Sequence, residues 1–165
     1  TSENLSYLPV MTNQLKGYKT GNYEESFDEI VEYVDSHYRT IRKKEKRAVA
    51  GLSMGGFHSL FIALNHPEKF NYVGLLSAGL NTAFLDMTKP AYKDMEAKLK
   101  NFQKEGYNLF WIACGKDDFL YQNNLDFMQT CDNIGFEYTY HESERGHIWA
   151  NWRQYLLLFT PMLFK

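Results

Sequence analysis

The feature that most constrains the fold is the alternation of short apolar runs with segments of helical periodicity along the 165 residues. Apolar runs of strand length predict strands over 48–52, 72–77, 108–114 and 136–141. Apolar residues at helical spacing predict helices over 23–38, 55–66, 89–104, 123–133 and 149–164. Strands that alternate with helices form a parallel sheet covered on both faces. The sequence therefore predicts one α/β domain over residues 1–165.

Composition narrows the possible partners. The formal net charge of -2, from 18 basic and 20 acidic residues without long runs, predicts no binding to nucleic acid or to a membrane surface. Two cysteines, Cys114 and Cys131, supply neither a disulfide framework nor the paired spacing of a zinc site. Both are interpreted as small buried hydrophobic residues, and we expect neither a metal nor an organic cofactor.

The most specific local motif is Gly51-Leu52-Ser53-Met54-Gly55, a G-x-S-x-G pattern between a predicted strand and a predicted helix. A sharp turn at this place brings two backbone segments close together, so Gly51 and Gly55 are expected to be required for steric reasons. The turn would lift the Ser53 hydroxyl above the sheet as a nucleophile. The backbone N–H of Met54, at the start of the helix, is predicted to bind a developing oxyanion.

A serine hydroxyl needs a base, and the chain has five histidines. His147 is the candidate, because it follows the last predicted strand in a polar loop and Gly146 lets the backbone turn the imidazole inward. The other four lie in or beside predicted helices or inside a strand, and they are His37, His58, His66 and His141.

The third group is an acid that accepts a hydrogen bond from the far ring nitrogen. Asp117 and Asp118 both follow the strand over 108–114, and spacing alone leaves either possible. Asp86, after the preceding strand, is a weaker competitor. The order Ser, Asp, His along the chain is the order that α/β-hydrolases use.

The sequence resembles the esterase D superfamily of α/β-hydrolases, nearest to the feruloyl and acetylxylan esterases of carbohydrate esterase family one. The resemblance rests on three motifs in order, which are 47–56 around Ser53, 111–120 with Gly115-Lys116-Asp117-Asp118, and Gly146-His147-Ile148-Trp149 followed by Trp152-Arg153. It implies an α/β-hydrolase fold with Ser53 as nucleophile, His147 as base and Asp118 as acid.

The resemblance also implies a serine carboxylic ester hydrolase without a cofactor. Its substrate would be an ester-bearing polysaccharide or small ester, with feruloyl or acetyl groups on arabinoxylan, and its location secreted or periplasmic. A siderophore esterase, a thioester hydrolase, an acyltransferase and a module without catalysis stay open as alternatives. Aromatic side chains on loops near the predicted site are candidates to contact the substrate, and they are Phe84, Phe119, Tyr121 and Trp149.

One departure from the family concerns the segment before the helix over 23–38. Family members have several strands there, whereas this sequence has about twenty residues with one strand-like run over 5–11. The chain is therefore interpreted as the C-terminal portion of an α/β-hydrolase domain. We expect its partner to be the missing N-terminal half, in the same longer chain or as a complementary fragment, because strand 48–52 would otherwise expose an unpaired edge.

Overall fold

The computed structural model describes residues 22–82 and 85–165. The run over 5–11 and the candidate Phe84 lie outside these residues. The helices are α1 (Asn22–Glu25), α2 (Phe27–His37), α3 (Met54–Asn65), α4 (Met95–Glu105), α5 (Tyr121–Asn133) and α6 (Trp149–Phe159), with short 3-10 turns at Lys44–Lys46 and Thr160–Met162. The strands are β1 (Ala48–Leu52), β2 (Tyr72–Leu76), β3 (Leu109–Gly115) and β4 (Thr139–Ser143).

The four strands form one parallel sheet in the order β1-β2-β3-β4. Each strand lies beside the next one along the chain, with one helix in each connection: α3 after β1, α4 after β2 and α5 after β3. The predicted parallel α/β architecture is confirmed. In a parallel sheet every strand ends at the same edge, so the loops that follow β1, β2, β3 and β4 gather there.

Both faces of the sheet are covered by helices. On one face the cores of α3, α4 and α5 pack against β2 and β3, with Phe57, Phe102 and Phe110 each at most 1% exposed. On the other face, Tyr155 and Phe159 of α6 pack against the remaining β2 and β3 side chains. All residues of β2 and β3 are buried, as a strand covered on both faces requires.

Two helix boundaries differ from the sequence-based predictions by five or six residues, and the helix predicted over 23–38 is interrupted at Ser26 to give α1 and α2. The helix predicted from residue 89 begins at Met95, because Pro90 disfavours helical backbone at Lys89 and Asp94 adopts a left-handed φ of 56°. The last helix ends at Phe159 and continues as a 3-10 turn, since Pro161 has no N–H to donate.

Strand β1 lies at one edge of the described sheet. It pairs with β2 along its whole length, and within residues 22–82 and 85–165 no strand pairs with its other side. Ala50 in its centre is exposed, and α2 has no buried residue. In the same ranges, no helix is both long enough and apolar enough to cross a bilayer.

Candidate active site

Ser53 occupies the turn between β1 and α3. Its φ of 55° and ψ of -118° lie in a region that L-residues rarely adopt. The turn is supported on both sides, because the Ser53 N–H donates to the Leu76 carbonyl at 2.9 Å and the Ser53 carbonyl accepts from Gly79 N–H at 3.0 Å. The strained serine predicted from the motif is therefore present, held between the ends of β1 and β2.

The glycines of the motif have different roles. A Cβ on Gly51 would lie 2.2 Å from the backbone of Gly55, so β1 and α3 approach more closely than any side chain allows. A Cβ on Gly56 would lie 2.5 Å from the Cβ of Ala78. A Cβ on Gly55 would meet no atom of the described residues within 4 Å. The steric requirement predicted for Gly55 is therefore wrong for this part of the chain, and Gly56 has that role instead.

The structure brings Ser53, His147 and Asp118 into one chain of hydrogen bonds. His147 Nε2 lies 3.0 Å from Ser53 Oγ, and His147 Nδ1 lies 2.9 Å from Asp118 Oδ2. Both contacts are satisfied when Nδ1–H donates to the carboxylate and Nε2 accepts the serine hydroxyl. The three residues come from different loops, after β1, β3 and β4, and meet at the carboxyl edge of the sheet.

The acid side chain that contacts the imidazole is that of Asp118, not that of Asp117. Asp118 has a fully buried carboxylate, and its Oδ1 also accepts the Leu120 N–H at 2.9 Å. Asp117 is exposed. Asp86 is exposed too, and its Oδ1 accepts the Thr88 hydroxyl at 2.6 Å, a hydrogen bond that lowers the pKa of Asp86. The ambiguity that spacing left open is thus resolved in favour of Asp118 as the partner of His147.

The other histidines have separate environments. His58 Nδ1 contacts the buried Glu24 at 2.5 Å, and His66 Nδ1 lies 3.2 Å from Asp28. His37 stacks on Tyr33 at the exposed end of α2, and His141 stacks on Trp111 in the sheet. Of the five imidazoles, the one brought to Ser53 is that of His147.

Met54 is the first residue of α3. Its N–H belongs to the first turn of the helix, whose donors have no acceptor inside the helix. The helix dipole adds a partial positive charge at the same place. The position expected of an oxyanion donor, directly beside Ser53, is therefore occupied by this N–H.

Two aromatic rings contact the imidazole of His147. The Phe119 ring lies 4.7 Å from it and is 75% exposed, and the Trp152 ring lies 4.8 Å from it. Trp149 packs edge-on against Trp152 at 5.2 Å and is 67% exposed. Of the predicted substrate-binding aromatics, Phe119 thus contacts the imidazole, and Trp149 is linked to it through Trp152. Trp152, which the sequence offers only as part of a motif, is a further ring at the imidazole.

Tyr121 belongs to a different set of contacts. Its hydroxyl donates to Glu142 Oε2 at 2.5 Å, and Lys116 lies 3.3 Å from the same carboxylate. This hydrogen bond raises the pKa of Tyr121. The structure therefore does not bring Tyr121 to the imidazole as the sequence analysis expected, since its polar end is engaged by Glu142.

The cysteines are poor alternative nucleophiles. Cys114 and Cys131 are both fully buried, and burial raises the pKa of each thiol to about 12. The charge of Asp118 adds to the effect at Cys114. Because the thiolate is the reactive form, both side chains are inert at neutral pH.

The family model described as "Putative esterase" matches residues 6–161. The chain belongs to this esterase family. The family assignment agrees with the resemblance found in the sequence, and with a serine held in the turn between β1 and α3.

Individual relatives share this assignment. The esterase-family chain is 41% identical over 162 residues to the endo-1,4-beta-xylanase/feruloyl esterase of Xylanibacter ruminicola, covering 94% of this chain and 20% of the relative. It is 29% identical over 155 residues to the acetyl esterase of Caldicellulosiruptor saccharolyticus, covering 78% of this chain and 58% of the relative.

The S-formylglutathione hydrolase FrmB from Staphylococcus aureus is a similar solved structure. Its TM-score is 0.72 at 28% identity, with 88% of this chain and 62% of the hydrolase covered. The esterase-family chain thus spans less than two thirds of the length of each of these three proteins. The shared fold is an α/β-hydrolase fold, of which the described sheet is a part.

The glycine geometry predicts a contrast between two alanine substitutions in the full-length protein. Gly51→Ala forces the backbone of Gly55 to move, and we expect a loss of about 1–3 kcal/mol in the free energy of unfolding. Gly55→Ala is the matched control, and we expect little change. Urea denaturation measures both. Equal stability of Gly51→Ala and the wild type would contradict the close approach of β1 and α3.

Proposed function

We propose that this chain contains the catalytic machinery of a serine carboxylic ester hydrolase. The observation that supports the proposal is the continuous path from Ser53 Oγ to His147 Nε2 at 3.0 Å and from His147 Nδ1 to Asp118 Oδ2 at 2.9 Å. A serine hydroxyl hydrogen-bonded to an imidazole is activated as a nucleophile, because the imidazole can take its proton. The buried carboxylate on the far side of the ring stabilises the imidazolium that results. Membership in the esterase family supports the same chemistry.

The proposed cycle is an acyl transfer in two halves. His147 Nε2 takes the Ser53 proton as Oγ attacks the ester carbonyl, and the imidazolium then gives that proton to the departing alcohol oxygen. The acyl group stays on Ser53 until water, deprotonated by the same nitrogen, attacks the acyl carbonyl. The imidazolium then returns that proton to Ser53 Oγ as the acid is released. Asp118 remains ionised throughout and stabilises the imidazolium.

The oxyanion that forms in each half needs hydrogen-bond donors. We assign one of them to the backbone N–H of Met54, which begins α3 next to Ser53. A second donor would come from the part of the domain beside β1. We place the second donor there because Ser53 directly follows β1, whose other edge is unpaired in the described sheet.

The substrate class that we propose is an ester of a hydroxycinnamic or acetic acid on a plant polysaccharide such as arabinoxylan. The two relatives from Xylanibacter ruminicola and Caldicellulosiruptor saccharolyticus, a xylanase/feruloyl esterase and an acetyl esterase, support this choice. Two exposed rings support an aromatic acyl group or a sugar ring as the partner, because both present flat apolar faces. Phe119 contacts His147 directly, and Trp149 packs on Trp152, which contacts His147. A secreted or periplasmic location would suit such a substrate.

Thioester hydrolysis is a second candidate. The similarity to an S-formylglutathione hydrolase favours it, since a thioester carbonyl would react at the same site by the same steps. The exposed aromatic rings beside His147 favour the carboxylic ester, because a formyl group offers them no flat surface.

We also propose that the active domain includes further strands that pair with the open edge of β1. The exposure of Ala50 and the apolar groove between α2 and β1 support this, since both leave apolar surface uncovered in the described residues. The groove has a volume of about 540 Å³. Its lining includes Ile30, Val34, Ala48, Phe70 and Phe164.

One prediction from the proposed mechanism tests the nucleophile and the acid. In the full-length protein, we expect Ser53→Ala and Asp118→Asn to lower kcat for methyl ferulate by about four or more orders of magnitude. Asp117→Asn, the matched control, is expected to stay within about twofold, because Asp117 is exposed. Labelling with a fluorophosphonate probe, which requires an activated serine, provides a second measurement. Equal losses at Asp117 and Asp118 would reject the assignment of the acid.

Another prediction tests the proposed contact of Trp149 with an aromatic acyl group. Trp149→Ala is expected to raise KM for methyl ferulate by about 2- to 10-fold and to leave KM for ethyl acetate unchanged, because only the feruloyl ring can stack. Trp149→Phe keeps a ring and should restore most of the affinity. Leu157→Ala, an exposed position on the same helix, serves as the control. An equal change for both esters would contradict contact with the acyl ring.

A further prediction tests the proposed additional strands. Expressed alone, residues 1–165 are expected to self-associate and to bind a hydrophobic dye, because the edge of β1 and the groove beside α2 are uncovered among the described residues. The full-length protein should be monodisperse by comparison in light scattering. A monomeric 1–165 polypeptide that reacts with the fluorophosphonate probe at the full-length rate would reject the proposal.

A further inference from the structure

The loop that presents His147 is confined on several sides. It joins β4 to α6 in five residues, 144–148, and Arg145 in it adopts a left-handed φ of 66°. The carbonyls of such a tight loop have no regular helix or strand partners, so each needs a hydrogen-bond donor from another group. The donors that bind these carbonyls position the backbone that carries the His147 imidazole.

Asn151 binds two of them. Its Nδ2 donates to the Glu144 carbonyl at 2.9 Å and to the Gly146 carbonyl at 3.1 Å. The residue is 4% exposed and lies in the first turn of α6, four residues after His147. A primary amide has two N–H donors on one nitrogen, so a single buried side chain fastens the loop on both sides of Arg145.

The loop also rests against the segment that contains the acid. The Asp117 N–H donates to the Arg145 carbonyl at 3.1 Å. A Cβ on Gly115 would lie 2.1 Å from that carbonyl oxygen and 2.8 Å from Asn151 Nδ2. The amide of Asn151 is thus packed directly between the base loop and the acid loop, where no further atom fits at Gly115.

We propose that Asn151 is a positioning residue, which holds the base loop so that one imidazole reaches both Asp118 and Ser53. The inference rests on the proposed function. Asn151 contacts neither reacting group; its side chain acts through the carbonyls of Glu144 and Gly146, in the backbone directly before His147. Asparagine suits this position because aspartate, with the same shape, has no N–H to donate and would place a negative charge against two carbonyl oxygens.

The test compares Asn151→Ala and Asn151→Asp with Gln154→Ala, an exposed position on the same helix, all in the full-length protein. We expect both Asn151 variants to lower kcat and the rate of fluorophosphonate labelling by about 10- to 100-fold, as small displacements of a catalytic group do. KM should stay within about twofold, because the contacts with substrate are kept. Circular dichroism at the assay temperature would confirm that the variants are folded.

A spectroscopic measurement separates this inference from the proposed function. The proton on His147 Nδ1, bonded to Asp118, is expected to give a low-field resonance that His147→Ala removes. Asn151→Ala should weaken or shift this resonance, and Gln154→Ala should not. If wild type is inert toward esters but the resonance responds in this way, the proposed function fails and the positioning role stands. Unchanged kcat and an unchanged resonance in folded Asn151→Ala would overturn the inference.

Discussion

The parallel pairing of the strands is the constraint on which the site depends. Leu52 pairs with Leu76, Leu76 pairs with Ala113, and Gly115 pairs with Ser143, so β1, β3 and β4 end at nearly the same level of the sheet. Ser53 directly follows β1, while Asp118 and His147 lie within a few residues of the ends of β3 and β4. Short loops from a shared edge leave few directions for their side chains. The register of the sheet therefore determines which polar groups can meet, and the loops determine how they meet.

Two local costs are concentrated at this edge, and each is offset by specific contacts. The backbone of Ser53 is in a sparsely populated region, at a cost of about 1–3 kcal/mol, and is held by hydrogen bonds to Leu76 and Gly79. The carboxylate of Asp118 is removed from water, which is unfavourable unless it is paired. Its partners are the imidazole of His147 and the N–H of Leu120. The same contacts that offset these costs also orient the groups, so stability and geometry are coupled here.

The sequence predicts the α/β architecture and the chemical identity of the site because both leave periodic or motif signals. Fully buried strands such as β2 and β3 read as continuous apolar runs, and the G-x-S-x-G motif marks one sharp turn. Spacing does not distinguish Asp117 from Asp118, since successive residues in a loop point in directions that only the fold decides. The sequence predicts a strand from residue 136, whereas β4 begins at Thr139. The reason is that Phe136 is buried in the core but precedes the first residue of β4 that pairs with β3. Asn151 left no signal, as an asparagine in the first turn of a helix is usually a surface residue.

The topology determines which catalytic groups of the proposed enzyme lie in the described residues. The groups that activate the nucleophile lie on loops after β1, β3 and β4, and all of them contact one another within this portion of the chain. The open side of β1 lies next to Ser53, so whatever pairs there also borders the nucleophile. In the proposed mechanism, activation of the serine is thus internal to this portion, whereas the second oxyanion donor would come from what covers the edge of β1. On this proposal, an unpaired edge would leave both an incomplete fold and a serine with one oxyanion donor, so the solubility of the domain and its chemistry would depend on the same contact.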